Sequence, residues 1–309
     1  MTNREPPLDP AQQAAVDSWA GPLLLVGGPG SGKTTTLVAA ALATLRDAAP
    51  GGPQPLLLTF SRRAASGLRN RVVRGLGRTT TPPLVMTVHA FCLWLHRRFT
   101  PHDQPELRLL TAPEQEFRVR ELLVGGGVGR WPAALAQASG TRAFAAQVRA
   151  ALARARQLGL DPEDLAGMGA AADRPEWAAL GHFFDEYLDV LDGEGALDYA
   201  ELVHRSRILL NDPPVLREVR RLVGDVLVDE YQELDPSQIG LLRALVPPGG
   251  RILAAGDPDQ AMFRFRGAHP RGMADFSTTF TAADGSPAPV ALLAGSHRYG
   301  PGIAAAVTR

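Results

Sequence analysis

Six short runs along the chain are apolar without alternation: Leu23–Val26, Leu56–Phe60, Leu84–Val88, Val226–Val228, Ile252–Ala255 and Val290–Leu293. A strand wetted on one face alternates apolar and polar residues, whereas one covered on both faces does not. The runs therefore predict strands of a buried parallel sheet. Turn or cap residues follow them, and helical periodicity then predicts helices over Lys33–Arg46, Arg62–Gly75, Ala90–Arg98 and Pro236–Leu245. Strands alternating with helices predict an α/β fold with a doubly wound sheet.

The middle of the chain departs from this pattern. Between Pro113 and Leu210 strand-like runs almost vanish, and glycine and proline punctuate helical stretches. Phe117, Leu122, Phe144, Val148, Leu152, Trp177, Phe183, Phe184, Tyr187 and Leu191 recur at helical spacing and predict the core of an all-helical subdomain. It interrupts the α/β domain between the third and fourth strands. The predicted organisation is residues 1–100 and 199–289 for the α/β domain, with 101–198 as the insertion.

Composition changes the picture at three points. The net charge is zero, so the bulk charge selects no partner. Cys92 is the only cysteine, which excludes an internal disulfide and fits a reducing, cytoplasmic setting. No apolar run approaches the roughly 20 residues that span a bilayer, so no membrane role is expected. Charge is unevenly spread, however. From Ala48 to His102 there is no acid, while Arg62, Arg63, Arg69, Arg71, Arg74, Arg78, Arg97 and Arg98 all occur there. Acids gather at Asp225, Asp229, Glu230, Glu233 and Asp235.

The 32 basic residues include a single lysine, Lys33. It lies in Gly27-Gly28-Pro29-Gly30-Ser31-Gly32-Lys33-Thr34, which fits the G-x-x-x-x-G-K-[ST] pattern between a predicted strand and a predicted helix. Glycines let backbone N–H groups face phosphates, and the helix N-terminus adds its dipole. An arginine fork does not replace a compact ammonium there. The loop predicts nucleotide triphosphate binding, with Lys33 on the β- and γ-phosphates and the Thr34 hydroxyl on Mg²⁺. Asp229 and Glu230 end an apolar strand. The first is placed to hold Mg²⁺ and the second to take a proton from attacking water. A third strand end delivers Gln260, suited to orient water or sense a γ-phosphate.

With these motifs in order, the chain resembles the first motor domain of UvrD/Rep/PcrA-like superfamily 1 DNA helicases. Leu8–Gln12 is similar to the adenine-reading Q motif and Gly27–Thr35 to motif I. Leu58–Ala65 resembles motif Ia, Thr87–Cys92 part of motif Ib, Asp229–Glu233 motif II and Gly256–Ala268 motif III. Ser296-His297-Arg298 falls at motif IV. Asp198–Leu202 resembles the segment that follows the inserted subdomain. The Ala/Arg-rich composition and the GGPGSGKT loop are also similar to actinobacterial helicase–nuclease subunits of the AdnAB/RecB type.

The resemblance implies a RecA-like phosphate-loop NTPase fold and ATP with Mg²⁺ as ligands. It implies Gln12 as adenine reader, Gly27, Gly28, Pro29, Gly30, Ser31, Gly32, Lys33, Thr34 and Thr35 around the nucleotide, and His297 stacking where relatives carry tyrosine. It implies Arg298 as a γ-phosphate contact. On the DNA side it implies Phe60, Arg62, Arg63, His89, Phe263, Phe265 and Arg266, with a single strand or a 3′-tailed duplex as partner and 3′-to-5′ movement. Glu233 departs from the usual aspartate. Residues 290–309 are expected to begin a second motor domain that is otherwise absent. A downstream region or partner would then be needed for unwinding, and an ATP- and DNA-binding scaffold without unwinding is the competing expectation.

Overall fold

The computed structural model describes residues 7–49, 51–77, 84–100, 107–126, 130–262, 267–269, 271–298 and 300. It divides into two compact units, residues 1–91 with 209–309, and residues 92–208. The divisions fall inside helices rather than in linkers, so the unit boundaries differ from those predicted.

The first unit opens with α1 (Pro10–Asp17), β1 (Leu23–Gly27), α2 (Lys33–Asp47), β2 (Gln54–Thr59), α3 (Arg62–Leu76), β3 (Leu84–Thr87) and the first turn of α4 (Val88–Phe99), whose remainder falls in the second. The second holds β4 (Arg108–Leu109), α5 (Ala112–Gly125), α6 (Ala133–Ala136), α7 (Arg142–Gln157), α8 (Pro162–Ala171), α9 (Pro175–Gly193), β5 (Ala196–Leu197) and most of α10 (Tyr199–Leu210). The chain then returns through α11 (Pro213–Leu222), β6 (Val223–Asp229), α12 (Pro236–Leu245), β7 (Ile252–Gly256), α13 (Phe276–Thr279) and β8 (Val290–Leu293).

Six strands form one parallel sheet in the order β3-β2-β6-β7-β1-β8. Leu25, Leu57, Leu227, Leu253 and Ala255 pack with Leu37, Val38 and Ala41 of α2 and Leu68 and Val72 of α3. The alternate residues Leu24, Leu56, Leu58, Val226, Val228, Ile252 and Ala254 are buried as well. Cover on both faces explains why these strands carry no alternation.

The position of β8 corrects one expectation. Val290 does not open a separate domain: Leu24–Gly27 of β1 pair with Val290–Leu293, making β8 the sixth strand of the first sheet. Four consecutive residues in register extend an existing ladder, which a sequence pattern this short does not specify.

Caps set the helix starts that matter for the site. Asp9 caps α1 and exchanges bonds with Gln12 in a capping box, with Pro10 as first helical residue. Ser61 caps α3 through the Ala64 N–H. Asp235 and Gln238 form the same box at α12.

In the second unit Val119, Leu123, Trp131, Phe144, Val148, Leu152, Phe183, Phe184, Tyr187 and Leu191 share a core. Two residues expected there lie outside it. Phe117 is 66% exposed, and Trp177 is 36% exposed with the Arg174 guanidinium 5.2 Å from its ring centre. Helical spacing identifies faces but not which turn is covered. The unit also contains a two-residue parallel ladder, β4 with β5, too short for a sequence pattern to reveal. Asp198 is buried, accepting from Gln115 Nε2 at 2.8 Å, Tyr187 Oη at 3.1 Å and the Glu201 N–H at 2.8 Å. The Asp198–Leu202 segment thus anchors the helical core.

Helices α8 and α9 meet backbone to backbone at Gly169 and Gly181. A Cβ on Gly181 would lie 2.7 Å from both Ala166 N and Pro162 O. Gly181→Ala is therefore expected to lower the unfolding free energy by about 1–3 kcal/mol, the usual cost of overpacking, despite the better helix propensity of alanine. Urea denaturation of the two proteins checks this; equal midpoints would mean the helices separate freely.

Candidate nucleotide and nucleic-acid site

Parallel strands deliver their following loops to one edge, and ligands of open α/β sheets bind there. Here β1 leads to the glycine loop, β6 to Asp229 and Glu230, β7 to Asp257–Gln260, and β8 to Ser296–Arg298. These segments line a cleft of about 770 Å³ with Pro29–Thr35, Gln12, Arg71, Glu230, Gln260, His297 and Arg298 on its walls.

The loop itself is shaped by two glycines with positive φ, Gly30 at 77° and Gly32 at 85°. Neither has room for a side chain. A Cβ on Gly30 would sit 2.5 Å from Arg298 Cβ, and one on Gly32 would collide with the Gln12 amide. Lys33 is buried, and its ammonium donates to Gly27 O at 2.5 Å and Gly28 O at 3.1 Å. It is thereby held over the loop at the start of α2.

Gln12 is 2% exposed. Its Oε1 accepts from the Asp9 N–H and its Nε2 donates to Ser31 O at 3.0 Å. The same Nε2 lies 3.3 Å from His297 Nε2, which is 2.9 Å from Asp9 Oδ2. Hydrogen bonding from the Gln12 backbone N–H, aided by His297, lowers the Asp9 pKa. His297 N–H donates to Gly30 O at 2.8 Å and Ser296 Oγ to Pro29 O at 3.0 Å. The Ser296–Arg298 segment is thus fastened across the glycine loop.

Thr34 Oγ1 donates to Asp229 Oδ2 at 3.2 Å. Asp229 is buried, and that burial, with the Glu230 carboxylate beside it, pushes its pKa from 3.8 up to about 6. Two hard oxygen donors side by side, one a buried carboxylate short of positive charge, fit Mg²⁺, which takes one or two protein ligands alongside phosphate oxygens. No cluster of three or more acidic, histidine or cysteine ligands exists among the described residues.

Glu230 has φ 59°, unusual for a residue with a side chain. Its Oε2 accepts from Gln232 Nε2 at 2.6 Å, and Gln232 Oε1 accepts from the Asp257 N–H at 3.1 Å. Gln260 Nε2 donates to Asp257 Oδ2. Glu233 accepts from the Met262 N–H at 2.9 Å, bridging the loop after β7.

Sequence reasoning missed four of these participants. Asp9 and Asp257 stood in recognised motifs without a role, and Gln232 carries no chemistry that flags it. Arg71 stands in the acid-free stretch with Arg69 and Arg74, and nothing in the sequence sets it apart from them. It lines the cleft, its Nη2 donating to Thr35 Oγ1 at 3.1 Å. Arg69 is turned to Val85 O at 2.6 Å.

On the DNA side, Phe60 follows β2 and is 39% exposed, with Arg62 and Arg63 exposed in the first turn of α3. His89 follows β3 at the same edge; burial lowers its pKa to about 4, so it is neutral and lends no charge to a phosphate. Phe263, Phe265 and Arg266 lie outside the described residues.

The sequence model of the UvrD/REP helicase N-terminal domain matches residues 8–281. The chain belongs to this family. It is 31% identical over 294 residues to the ATP-dependent DNA helicase UvrD1 of Mycobacterium tuberculosis, covering 88% of this chain and 36% of that protein. It is 26% identical over 286 residues to DNA helicase II of Escherichia coli, covering 90% and 37%. To the ATP-dependent DNA helicase Rep of Escherichia coli it is 26% identical over 279 residues, covering 89% and 39%. This UvrD/Rep-family chain therefore spans somewhat over a third of the length of these relatives. No helix among its described residues is long and apolar enough to cross a membrane.

The raised pKa of Asp229 has a testable sign. Its folded-state value lies above the unfolded one, so the charged carboxylate opposes folding at neutral pH. That penalty fades as pH falls from about 6 to about 4. Asp229→Asn is expected to stabilise the nucleotide-free protein at pH 8 by roughly 1–3 kcal/mol and by less at pH 4. The same variant should lose the Mg²⁺-dependent gain in nucleotide affinity. Urea melts at both pH values, with titrations of a fluorescent ADP in Mg²⁺ or EDTA, measure both effects; a destabilised variant would refute the first.

Proposed function

We propose that the α/β unit is an ATP hydrolase of the UvrD class whose turnover is coupled to single-stranded DNA. The observation that carries this is the convergence, at one sheet edge, of a cleft built from the glycine loop, the β6 acids, Gln260 and Arg298 with the exposed group Phe60, Arg62 and Arg63.

In this reading Gln12 and His297 hold the base, and the glycine-loop N–H groups with the α2 N-terminus receive the phosphates. Lys33 shifts from the loop carbonyls to the β- and γ-phosphates. Thr34 and Asp229 hold Mg²⁺, which when bound offsets negative charge on the phosphate oxygens. Glu230 accepts the proton of the attacking water. Gln260 orients that water, and Arg298 stabilises charge on the transferring phosphoryl group. Arg62 and Arg63 neutralise phosphates of the strand, and Phe60 stacks on a base without reading its identity. Movement along the strand, 3′-to-5′ by family resemblance, needs a second motor unit to open and close against this one, supplied by a downstream region or a partner.

Two sets of measurements test the proposal. Lys33→Ala and Lys33→Arg should both abolish hydrolysis, since the arginine fork does not fit a loop made for an ammonium; wild-type turnover in either would sink the nucleotide assignment. Single-strand affinity should fall with salt and ignore sequence, and Phe60→Ala should weaken it by about 1–3 kcal/mol if the ring carries a base. A flat salt response, read by fluorescence anisotropy of a labelled oligothymidylate, would contradict the arginine contacts.

A further inference from the structure

We infer that Gln232 is a positioning residue for hydrolysis: its buried amide fixes the Glu230 carboxylate and ties it to the end of β7. The inference rests on the proposed hydrolytic function and adds to it a residue that touches neither nucleotide nor metal.

Three features argue that the amide is specified by its surroundings. Gln232 is 4% exposed, so an idle amide there would leave buried polar atoms unpaired at a cost. Both ends are engaged, and in one sense only: the Asp257 N–H can only donate, so the oxygen faces β7 and the NH₂ group must face Glu230. The partner strand makes room for it at Gly256, where a Cβ would come within 2.6 Å of Gln232 Oε1.

Glu230 needs such a tether. Its backbone sits in the left-handed region, and its neighbour Asp229 is a carboxylate that repels it. Catalysis by a base depends on its reach to the proton, and a poorly held side chain loses that geometry. The far end of the amide meets Asp257, whose own carboxylate accepts from the Gln260 amide and the Asp259 N–H. Glu230 and Gln260 are therefore set by one chain of hydrogen bonds, Glu230–Gln232–Asp257–Gln260. The two groups assigned to the attacking water share a support.

The test is single-turnover hydrolysis of radiolabelled ATP with protein in excess and oligothymidylate present, comparing the parent with Gln232→Leu, Glu230→Gln and the double variant. Gln232→Leu is expected to slow hydrolysis roughly 10–100-fold, below the 10²–10⁴ of losing the base itself. Fluorescent ADP should bind within about threefold, as for a group acting through Glu230 alone. In the Glu230→Gln background, Gln232→Leu should add nothing. Gln232→Glu keeps the acceptor for Asp257 N–H but faces Glu230 with a second carboxylate, and should also be slow while binding ADP. Unchanged rates in both variants, a parallel loss of ADP affinity, or full additivity with Glu230→Gln would overturn the inference while leaving the hydrolase reading intact. A parent without hydrolysis would overturn both.

Discussion

Everything in the α/β unit is organised around a backbone that has to stay open. The glycine loop turns through two left-handed residues, and no side chain fits at Gly30 or Gly32. Space denied to a Cβ is occupied by other elements: the Gln12 amide against one glycine, Ser296 and Arg298 against the other. The loop therefore dictates where α1 begins and where the chain passes after β8. The capping box of Asp9 and Gln12 stabilises a helix end through Gln12 Oε1, and the Nε2 of the same side chain donates to Ser31 O.

A second constraint is electrostatic. Asp229 and Glu230 are adjacent acids at a buried strand end, and the fold supplies few cations to them. Lys33 is near but engaged with carbonyl oxygens. A structure evolved for stability alone would not keep such a pair. The raised Asp229 pKa is the trace of that conflict.

The fold class and the main lines of the site were legible because both depend on local signals. Doubly covered strands are uniformly apolar, and a glycine loop or a pair of acids after such a strand is a short, ordered string. What escaped notice depends on which distant segments meet. Gln232 is chemically ordinary until β7 is laid beside β6 and Gly256 opens against its amide. Arg71 sits among other arginines on α3, and only the helix rotation sends it to the cleft while Arg69 turns to β3. The apolar run Val290–Leu293 announced a strand of this sheet, but its assignment to a second domain went astray, since nothing in the run names β1 as its partner. Phe117 and Trp177 share the spacing of their buried neighbours but stand outside the shared core.

The placement of β8 has a mechanical meaning. Only Ala294 and Gly295 separate the end of that strand from the three residues fastened over the glycine loop. A tether this short has almost no slack. A pull on the chain after Arg298 is not absorbed by a flexible linker; it bears directly on the carbonyls of Pro29 and Gly30 and on the His297–Asp9 contact. The segment can work as a strain gauge: a displacement of Ser296–Arg298 is registered at the glycine loop and at the cap of α1.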